Sequence, residues 1–350
     1  MPAAPEVSVY GAGIYGLMCA WHLAERGHRV RVVSHHPPLA ADSSSRGGSR
    51  IFRFAYFEDP GYVPLMRQAD SFWRALETHA RTPFREATGV RYVGPADHEI
   101  LVGVRRAASQ HGLTLTQPRD TPGLANSGAI PPGDLAHLHE PDAGFLYSSR
   151  ILLAVVRELD RMGVTFVYGS HQVPDGDGIV AIGPAMADQC PSWPLRVTHQ
   201  AIAWVDGIDP RLPVFGIVTS AGFLYGIPAH ADCRWVKVGV HDAGPTTLSG
   251  DGQLPIVRAA LAEAFGPVAI RHHAHCRYTN TPDARFLVDW IRPGQLGVSA
   301  CSGHGFKFAP VVAAMAVDHW LAGRTGPLDV LAAASTYSET SMRLPSGSRK

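Results

Sequence analysis

Three glycines near the start of the chain have the spacing of a nucleotide-binding turn. Gly11, Gly13 and Gly16 follow the apolar segment 7–10 directly and open a helical pattern over 17–26. In such a turn the first glycine allows the tight bend, the second leaves room for a pyrophosphate, and the third lets the helix pack closely on the strand. The helix N-terminus then faces the phosphates, so this segment predicts a dinucleotide site.

One element of that motif is replaced in this sequence. The next β-branched segment, 30–33, ends at Ser34, which is followed by His35 and His36. An acidic residue usually stands at this place and accepts hydrogen bonds from the ribose hydroxyls. Because a serine hydroxyl can accept one such bond, we expect weaker ribose recognition, or a second attachment that compensates for it.

Lysine is rare enough in this chain for each interior lysine to need an explanation. The 31 basic residues include only three lysines, Lys237, Lys307 and Lys350. Lys237 alternates with valines in a strand-like segment, where burial of a lone ammonium would be costly; the alternative is an edge strand with this lysine facing solvent. Lys307 follows the glycine-containing segment 303–305 at a strand-to-helix turn, where cations and amide groups can stabilise an anion.

A histidine-rich segment invites comparison with metal sites. His272, His273, His275 and Cys276 offer imidazole and thiolate groups, which are common zinc ligands. On a strand, His273 and His275 share one face while Cys276 points to the other. Nothing nearby in the sequence supplies a carboxylate or cysteine partner at a usual spacing, so we predict no metal site.

The elements that must position these residues follow an α/β order. The start of the chain reads as strand, glycine turn, helix and strand, and the segment 297–322 reads as strand, glycine turn and helix. Four strand-like stretches come almost in succession and predict an antiparallel sheet in a second domain: 201–205, 214–218, 223–227 and 234–240. The other helical patterns lie at 63–79, 99–112, 150–162 and 254–265, and a short apolar alternation lies at 113–116.

Composition limits the classes of function. The formal charge is +1, from 31 basic and 30 acidic residues, so no overall field favours nucleic acid or an anionic membrane, and a small molecule is the expected partner. No apolar run approaches the roughly 20 residues of a spanning helix, and the first residues lack a basic segment followed by an apolar one. We therefore expect a cytoplasmic protein. Its five scattered cysteines do not predict a disulfide framework.

Six segments, in this order and at these separations, resemble the monomeric sarcosine oxidase family of flavoenzymes. That family also contains N-methyltryptophan oxidase and pipecolate oxidases, within the D-amino acid oxidase superfamily. The segments are the glycine motif at 11–16, Gly-Ser-Arg-Ile-Phe-Arg-Phe-Ala-Tyr at 48–56 with 61–64, Glu-Pro-Asp-Ala-Gly at 140–144, Lys-Val-Gly-Val-His at 237–241, Cys-Arg-Tyr-Thr-Asn-Thr-Pro-Asp at 276–283, and Ser-Gly-His-Gly-Phe-Lys at 302–307. Together they span most of the chain.

The resemblance implies an FAD enzyme with two domains. A discontinuous, split Rossmann-like FAD-binding domain would comprise 1–80, 140–195 and 280–340, beside a substrate domain of 81–139 and 196–279 built on a mixed, largely antiparallel sheet. In the family, a cysteine matching Cys276 forms a thioether to the flavin. The alternative is a buried free thiol. A covalent attachment would also compensate for the missing acid at Ser34.

The resemblance also assigns roles to individual residues. Arg53 and Lys307 match a cationic pair that clamps the substrate carboxylate, and Lys237 matches a lysine behind the flavin that helps oxygen to react. Three further matches shape the pocket and contact the amine side: Tyr225, His241 and His304. Four match positions that bind the cofactor: Ser49, Arg50, Gly303 and Gly305. The charge of Arg50 is also expected to contribute to catalysis. One extra residue separates Tyr225 from Lys237, which leaves the register at Tyr225 open.

Two departures bear on the site. The segment between Val167 and Gly178 is short for the family, and the segment 182–185 replaces a family motif, which puts flavin contacts from that turn in doubt.

The resemblance implies an oxidase, expected to be a monomer, that acts on a small amino acid with a secondary or substituted amine. Hydride transfer to FAD would give an imine, and oxygen would be reduced to hydrogen peroxide. Sarcosine is the simplest candidate substrate. The alternatives are a cyclic imino acid such as a pipecolate or proline relative, a hydrazino acid in specialised metabolism, a flavin dehydrogenase with another electron acceptor, and a flavoprotein that has lost turnover.

Overall fold

The helices and strands of this chain form a mixed α/β fold. The computed structural model describes residues 6–117, 135–170, 172–241, 251–334, 336–337 and 342. The strands in this part of the chain are β1 (Glu6–Tyr10), β2 (Arg29–Ser34), β3 (Arg50–Phe52), β4 (Arg85–Glu86), β5 (Val90–Pro95), β6 (Leu135–Glu140), β7 (Gly144–Leu146), β8 (Thr165–Tyr168), β9 (Gly178–Val180), β10 (Arg196–Asp206), β11 (Val214–Thr219), β12 (Gly222–Ile227), β13 (Val236–His241), β14 (Ala269–Asn280), β15 (Leu287–Arg292) and β16 (Gln295–Ser299). The helices are α1 (Ile14–Glu25), α2 (Tyr62–Ala80), α3 (Glu99–His111), α4 (Ser148–Arg161), α5 (Met186–Gln189), α6 (Leu254–Phe265), α7 (Ala309–Leu321) and α8 (Val330–Ala334).

The first sheet is built around the glycine turn. Its six strands have the order β15-β16-β9-β1-β2-β8, and all neighbouring pairs are parallel except β15 with β16. Helix α1 packs against α4 and α7, and its side chains Leu17 and Trp21 are fully buried in the core that covers this sheet. A parallel sheet with covering helices is the arrangement that the strand-turn-helix-strand pattern predicts.

The second sheet has the order β14-β10-β13-β12-β11-β5-β6. Neighbouring strands are antiparallel except β5 and β11, which run parallel. Helix α6 covers one face, where Val257 and Leu261 pack on the buried strand residues Ala203 and Val238. The predicted antiparallel run of strands is therefore confirmed, and the opposite face of the sheet remains to form a wall of the site.

A third sheet has three strands in the order β3-β7-β4. Strand β7 pairs antiparallel with both β3 and β4, so the short strand β3 at Arg50–Phe52 is held in place on one side. In the segment 113–116, where apolar residues alternate, only Thr116 pairs with another strand, through an isolated bridge to His139. No helix in the described parts of the chain is both long and apolar enough to cross a membrane.

Candidate functional site

The glycine turn between β1 and α1 has the geometry that its spacing predicts. Gly11 has φ +108°, and a Cβ there would lie 2.3 Å from the carbonyl oxygen of Ala181 on the neighbouring chain segment. A Cβ at Gly16 would lie 1.9 Å from the carbonyl oxygen of Gly11, which explains why helix and strand can approach so closely. At Gly13 the nearest atom is Ser45 Oγ at 3.4 Å, so a ligand has room there.

A groove of about 560 Å³ opens at this turn, at the carboxyl ends of the parallel strands. Gly11, Gly13 and Ser34 line it, as do Ile182 and Gly183 of the turn whose contribution the sequence left in doubt. Ser34 Oγ lies 3.3 Å from the amide nitrogen of Ala12 and accepts its hydrogen bond. The serine that replaces the usual acid therefore supports the glycine turn itself.

An inner cavity of about 150 Å³ continues from this groove. The two spaces share four lining residues, Ser44, Arg277, Cys301 and Phe306. The sequence-predicted site residues that line the inner cavity are Ser49, Arg50, Arg53, Tyr225, Lys237, His241, Cys276, Gly303, His304, Gly305 and Lys307. Gly16 is the one predicted residue that lines neither space, because its role is to pack α1 on the turn.

The residues that line the two connected spaces fit the chemistry of FAD. The groove contains a glycine turn that can bind phosphate, with room for a ligand at Gly13. The inner cavity is lined largely by apolar and aromatic side chains, together with basic ones. Groove residues would hold the adenine dinucleotide part, and inner-cavity residues would hold the flavin ring. Cys276 lines the inner cavity, among the residues that would surround the flavin ring.

One side of the inner cavity, which we call the loop wall, is lined by Arg53, Glu58, His304 and Lys307 and includes the fully buried Tyr56, which contacts three of them. Arg53 is 7% exposed, and its Nη2 lies 2.6 Å and 2.8 Å from the two carboxylate oxygens of Glu58. Burial alone would raise the pKa of Glu58, but the charge of Arg53 and its hydrogen bonds outweigh burial and hold that pKa at about 2. Glu58 is therefore ionised, and its carboxylate is hydrogen-bonded to the guanidinium of Arg53.

A directed hydrogen-bond chain completes the loop wall. His304 Nε2 lies 3.0 Å from the carbonyl oxygen of Ala284, which can only accept, so this nitrogen carries the proton. Its Nδ1 then accepts from the Tyr56 hydroxyl at 2.9 Å, and that hydroxyl accepts from Lys307 Nζ at 3.0 Å. Burial, reinforced by the charge of Lys307, lowers the pKa of His304 to about 3, which keeps the imidazole neutral.

The facing side, which we call the sheet wall, consists of Tyr225, Lys237, His241, Cys276 and Tyr278 on β12, β13 and β14. Lys237 is 4% exposed, and its Nζ donates to the backbone carbonyl oxygens of Gly47 at 2.9 Å and Ser49 at 2.8 Å. Burial first, and then the nearby charge of Arg50, lowers the pKa of Lys237 well below its usual value. Lys237 faces the cavity and not solvent, although it lies on a strand.

The segment that accepts from Lys237 depends on Gly47. This glycine has φ +107°, and a Cβ there would meet Arg50 Nη1 at 3.2 Å and Lys237 Nζ at 3.5 Å. Arg50 in turn donates to the carbonyl oxygens of Ser44, Arg46 and Ser49, and its guanidinium lies 5.6 Å from the centroid of the Phe306 ring. Both cations are thus fixed by backbone oxygens of one loop.

Tyr225, on β12, lines the inner cavity, as Lys237 on β13 does. Strand β12 pairs Tyr225 with Gly239, and a Cβ at Gly239 would lie 2.5 Å from the tyrosine hydroxyl. The hydroxyl is hydrogen-bonded to Tyr278, and burial, with Cys276 nearby, raises the pKa of Tyr225 to about 12. The ring of His241 lies 6.1 Å from that of Tyr278.

Several residues that shape the site were missed by the sequence analysis. Glu58 and Tyr56 are in the loop wall, and the buried Glu140 supports it from behind. Glu140 Oε1 accepts from the backbone nitrogens of Phe54 at 2.6 Å and Ala55 at 3.0 Å, next to Arg53. The only available signal for Glu140 was its place in the family-like segment 140–144.

Two further observations concern Lys307 and the histidine segment. Trp73 Nε1 on α2 donates to the carbonyl oxygen of Lys307 at 2.9 Å, which fixes the turn before α7. Away from the cavity, His273 and His275 lie beside Asp251. The sequence offers these histidines no carboxylate at a usual spacing, but the fold brings Asp251 to them from 22 and 24 positions earlier in the chain.

The fold and the two connected spaces define a flavin-binding oxidoreductase. The sequence profile of FAD dependent oxidoreductases matches residues 6–319, and the chain belongs to this family.

Similar proteins indicate which kind of FAD-dependent oxidoreductase this chain resembles. N-methyl-L-tryptophan oxidase of Salmonella dublin is 30% identical over 363 aligned positions, which cover 93% of this chain and 96% of that enzyme. The open form of NikD, an unusual amino acid oxidase essential for nikkomycin biosynthesis, has a TM-score of 0.78 at 20% identity and 96% coverage of both chains. L-proline dehydrogenase from P. horikoshii has a TM-score of 0.74 at 19% identity and covers 93% of this chain and 95% of its own. The chain is an FAD-dependent amine or amino acid oxidase by family, and the two solved structures share its fold.

Proposed function

We propose that this protein oxidises a small amino acid whose nitrogen is secondary or otherwise substituted, with sarcosine as the simplest candidate. One observation carries the proposal. The side-chain amines of Lys237 and Lys307 are buried beside the inner cavity, burial lowers the pKa of both well below its usual value, and among the described residues no carboxylate forms an ion pair with either. A bound anion would stabilise the charged form of both amines, and a substrate carboxylate would provide that anion.

The carboxylate of the substrate would bind Arg53 and Lys307. Both oxygens of Glu58 are engaged by Arg53 Nη2, and Arg53 Nη1 donates to the carbonyl oxygen of Ala55 at 3.3 Å. A second carboxylate can therefore reach this guanidinium only by sharing or displacing Glu58. The Lys307 ammonium, which donates to the Tyr56 hydroxyl and the carbonyl oxygen of His304, would supply the second cationic contact.

The same charges would act on the substrate nitrogen. A substrate ammonium would be repelled by Arg53, Lys237 and Lys307, so the cavity favours the neutral amine with its lone pair available. His304 is neutral and its proton is committed to Ala284, so it would orient the substrate through Tyr56 and contribute no charge. These side chains prepare the amine for oxidation without abstracting a proton themselves.

Oxidation would remove two electrons and two protons from the C–N bond and give an imine. Bound FAD supplies the acceptor of the electron pair, and oxygen would take the pair and two protons to form hydrogen peroxide. Lys237, fixed by two carbonyl oxygens in a dry environment, would stabilise the negative charge that develops as oxygen is reduced. Cys276 would hold the cofactor by a thioether.

An absorbance spectrum before and after acid precipitation tests the cofactor and its attachment. We expect yellow colour that stays with the precipitated protein in the wild type and in Cys301→Ser, and that is released in Cys276→Ser. Cys301 is a matched control because it is also a free cysteine on the cavity wall. Colour retained by Cys276→Ser would contradict the thioether at Cys276, and a colourless wild type would contradict the proposed function.

Anaerobic addition of sarcosine then tests the reaction. We expect the flavin absorbance to bleach, and admission of oxygen to restore it with one hydrogen peroxide per sarcosine consumed. Bleaching without recovery in oxygen would point to a dehydrogenase with another acceptor, and absence of bleaching would exclude sarcosine.

A larger substrate is the second candidate. Phe57, Phe223 and Ile227 form an apolar side of the inner cavity, which fits the ring of a cyclic imino acid or an aromatic side chain. Relatives named for N-methyl-L-tryptophan and L-proline agree with this chemistry. Parallel bleaching experiments with pipecolate, proline and N-methyl-L-tryptophan decide between the candidates, because the best substrate gives the highest rate at subsaturating concentration.

A further inference from the structure

The exposed edge of the second sheet carries a cluster of three groups that can bind a metal ion. Asp251 Oδ1 lies 3.3 Å from His273 Nε2 and 3.1 Å from His275 Nε2. One ligand atom from each of the three residues can be chosen so that all lie within 4.8 Å of one another. The side chains of the two histidines are 42% and 41% exposed, and that of Asp251 is 73% exposed, so an ion can reach them from solvent.

The fold brings these groups together by two separate devices. His273 and His275 are two residues apart on β14, the edge strand of the seven-stranded sheet, and so project from the same face. Their partners on β10 are Ala203 and Ala201, which are buried in the core that α6 covers. Asp251 comes from the short 3-10 turn that leads into α6, the helix that covers this same face.

This face is opposite to the flavin-side cavity. Cys276 follows His275 directly, but strand alternation turns it to the other side of the sheet, where it lines the inner cavity. His272 also projects away from His273 and His275, and its ring lies 5.0 Å from that of Trp204. The cluster is therefore separate from the cofactor site, although both use the same strand.

The distances match those between ligands of one small ion. Zinc binds imidazole nitrogen and carboxylate oxygen at about 2.0–2.2 Å, and tetrahedral geometry then places neighbouring ligand atoms roughly 3.3–3.5 Å apart. The two nitrogen-to-oxygen distances in the cluster are already close to this range, and the ring centroids of His273 and His275 are 6.0 Å apart with nearly parallel planes. Small side-chain rotations at an exposed site bring the second nitrogen into range.

The cluster is also unlike its neighbour on the same face. There Arg271 forms an ordinary ion pair with Asp206, in which Arg271 Nη2 lies 2.9 Å from Asp206 Oδ2. At Asp251 two imidazoles converge on one carboxylate oxygen instead. In their common neutral form, each imidazole has one bare nitrogen whose lone pair can face a metal ion. Two nitrogens and one oxygen of this kind are a donor set suited to divalent transition metals.

We propose that Asp251, His273 and His275 form a surface binding site for a divalent transition-metal ion, with zinc as the probe. The three side chains supply three ligands, and water completes the coordination, as at zinc sites with three protein ligands. The site would tie the start of α6 to the edge strand β14. It does not depend on the proposed oxidase activity or on the flavin.

Calorimetric titration of the purified, chelator-treated holoprotein with zinc chloride tests the proposal. We expect one zinc per chain, and a dissociation constant at least about 10–100-fold weaker in each of Asp251→Asn, His273→Gln and His275→Gln, since even loss of an outer-shell partner has an effect of that size. His272→Gln is the matched control, because it removes an exposed imidazole from the same strand but from the opposite face. We expect it to bind zinc as the wild type does.

X-ray absorption at the zinc edge gives a second, independent reading. We expect a shell of nitrogen and oxygen near 2.0–2.1 Å without sulfur near 2.3 Å. A sulfur shell would overturn the proposal by assigning the metal to cysteine. Equal zinc binding by the wild type and the three ligand variants, or equal weakening in His272→Gln, would overturn it as well, as would the absence of a saturable site in the wild type. Thermal unfolding of each variant checks that it is folded.

Discussion

The two walls of the inner cavity hold their cations in different ways. On the sheet wall, Lys237 donates to two backbone carbonyl oxygens, which cannot leave without moving the chain. On the loop wall, Arg53 is paired with the side chain of Glu58, and Lys307 donates to the Tyr56 hydroxyl and one carbonyl oxygen. The positive charge is fixed on one wall and is shared with movable side chains on the other.

This difference separates two tasks in one small space. A cation that must meet a substrate carboxylate benefits from partners that can be exchanged, as Glu58 can be. A cation that must act on every turnover, whatever the substrate, benefits from rigid preorganisation. We therefore expect loop-wall variants to alter ligand binding and sheet-wall variants to alter the reaction with oxygen.

Arg53→Met should have the largest effect, because it removes the ion pair between Arg53 and Glu58 in the loop wall. We expect binding of a carboxylic acid that lacks the amine to weaken by about 2–5 kcal/mol, because a desolvated charge pair is lost. The free energy of unfolding should also fall by about 3–5 kcal/mol, because Glu58 is left buried and unpaired. Ligand titration followed by flavin absorbance and chemical denaturation measure the two effects.

The double variant Arg53→Met/Glu58→Gln separates binding from folding. It should recover much of the lost stability, because no buried charge remains unpaired, while carboxylate binding stays weak. Recovery of binding in the double variant would show that Arg53 does not contact the carboxylate.

A pair of lysine variants tests the division between the walls directly. Lys237→Met should slow reoxidation of the reduced enzyme by about 100–1000-fold, the usual effect of removing one preorganised charge or donor. Lys307→Met should weaken carboxylate binding and leave the reoxidation rate within a few fold. Stopped-flow mixing with oxygen measures the rate. If both variants slow reoxidation equally, the two lysines share one task and the comparison fails.

Acid should weaken the loop wall through His304. Because its pKa in the folded protein is about 3, the folded state stays neutral while the unfolded state takes up a proton below about pH 6.5, so stability falls as pH falls between these values. The slope is about 1–1.5 kcal/mol per pH unit for this group. His304→Gln should remove the contribution of this histidine to the slope. Chemical denaturation of both proteins at pH 6, 5 and 4 measures the difference.

Other groups, among them His22 and Glu58, act in the same direction and remain in that variant. Burial also lowers the pKa of His22, in α1, to about 3, and Glu58, with a pKa of about 2, contributes stability above about pH 4.5 that is lost as pH falls towards 2. The slope should therefore decrease without vanishing. An unchanged slope in His304→Gln would show that His304 is protonated in the folded state.

Tyr56→Phe should give the smallest effect, about 1–2 kcal/mol of lost stability, because Lys307 and His304 each lose a buried hydrogen-bond partner. Tyr62→Phe is the matched control. Its ring also lies against His304, with centroids 5.3 Å apart, but among the described residues its buried hydroxyl has no hydrogen-bond partner. We expect a change within about 0.5 kcal/mol there. Equal losses from both variants would contradict the hydrogen-bond chain.

Local patterns in the sequence predicted most of the fold. The segment 254–265 matches α6 at both ends, and the other long helices differ from their predicted ranges by a few residues. These elements have strong periodicity and clear ends, such as Gly112, which follows α3 in the left-handed region. The short strands β3 and β4 carry no such pattern, and pairing with β7 defines them.

The sequence predicted those site residues whose type and local motif are informative. It did not predict the contacts between residues that are far apart in the chain. Tyr56 and His304 are 248 positions apart, and Glu140 and Phe54 are 86 apart. No local spacing marks such pairs, and the same holds for Asp251 and the histidines of β14. The domain boundaries, the monomeric state and the cytoplasmic location stay predictions.

The carboxylate of Glu140 has a consequence for changing the substrate range of this enzyme. Its two oxygens receive the amides of Phe54 and Ala55 and the hydroxyl of Tyr92, so the backbone beside Arg53 is held from behind and not by the side chains that line the cavity. A library that varies Phe57 or Phe223 therefore alters the shape of the pocket against a stationary support. Glu140 should be left untouched in any such redesign.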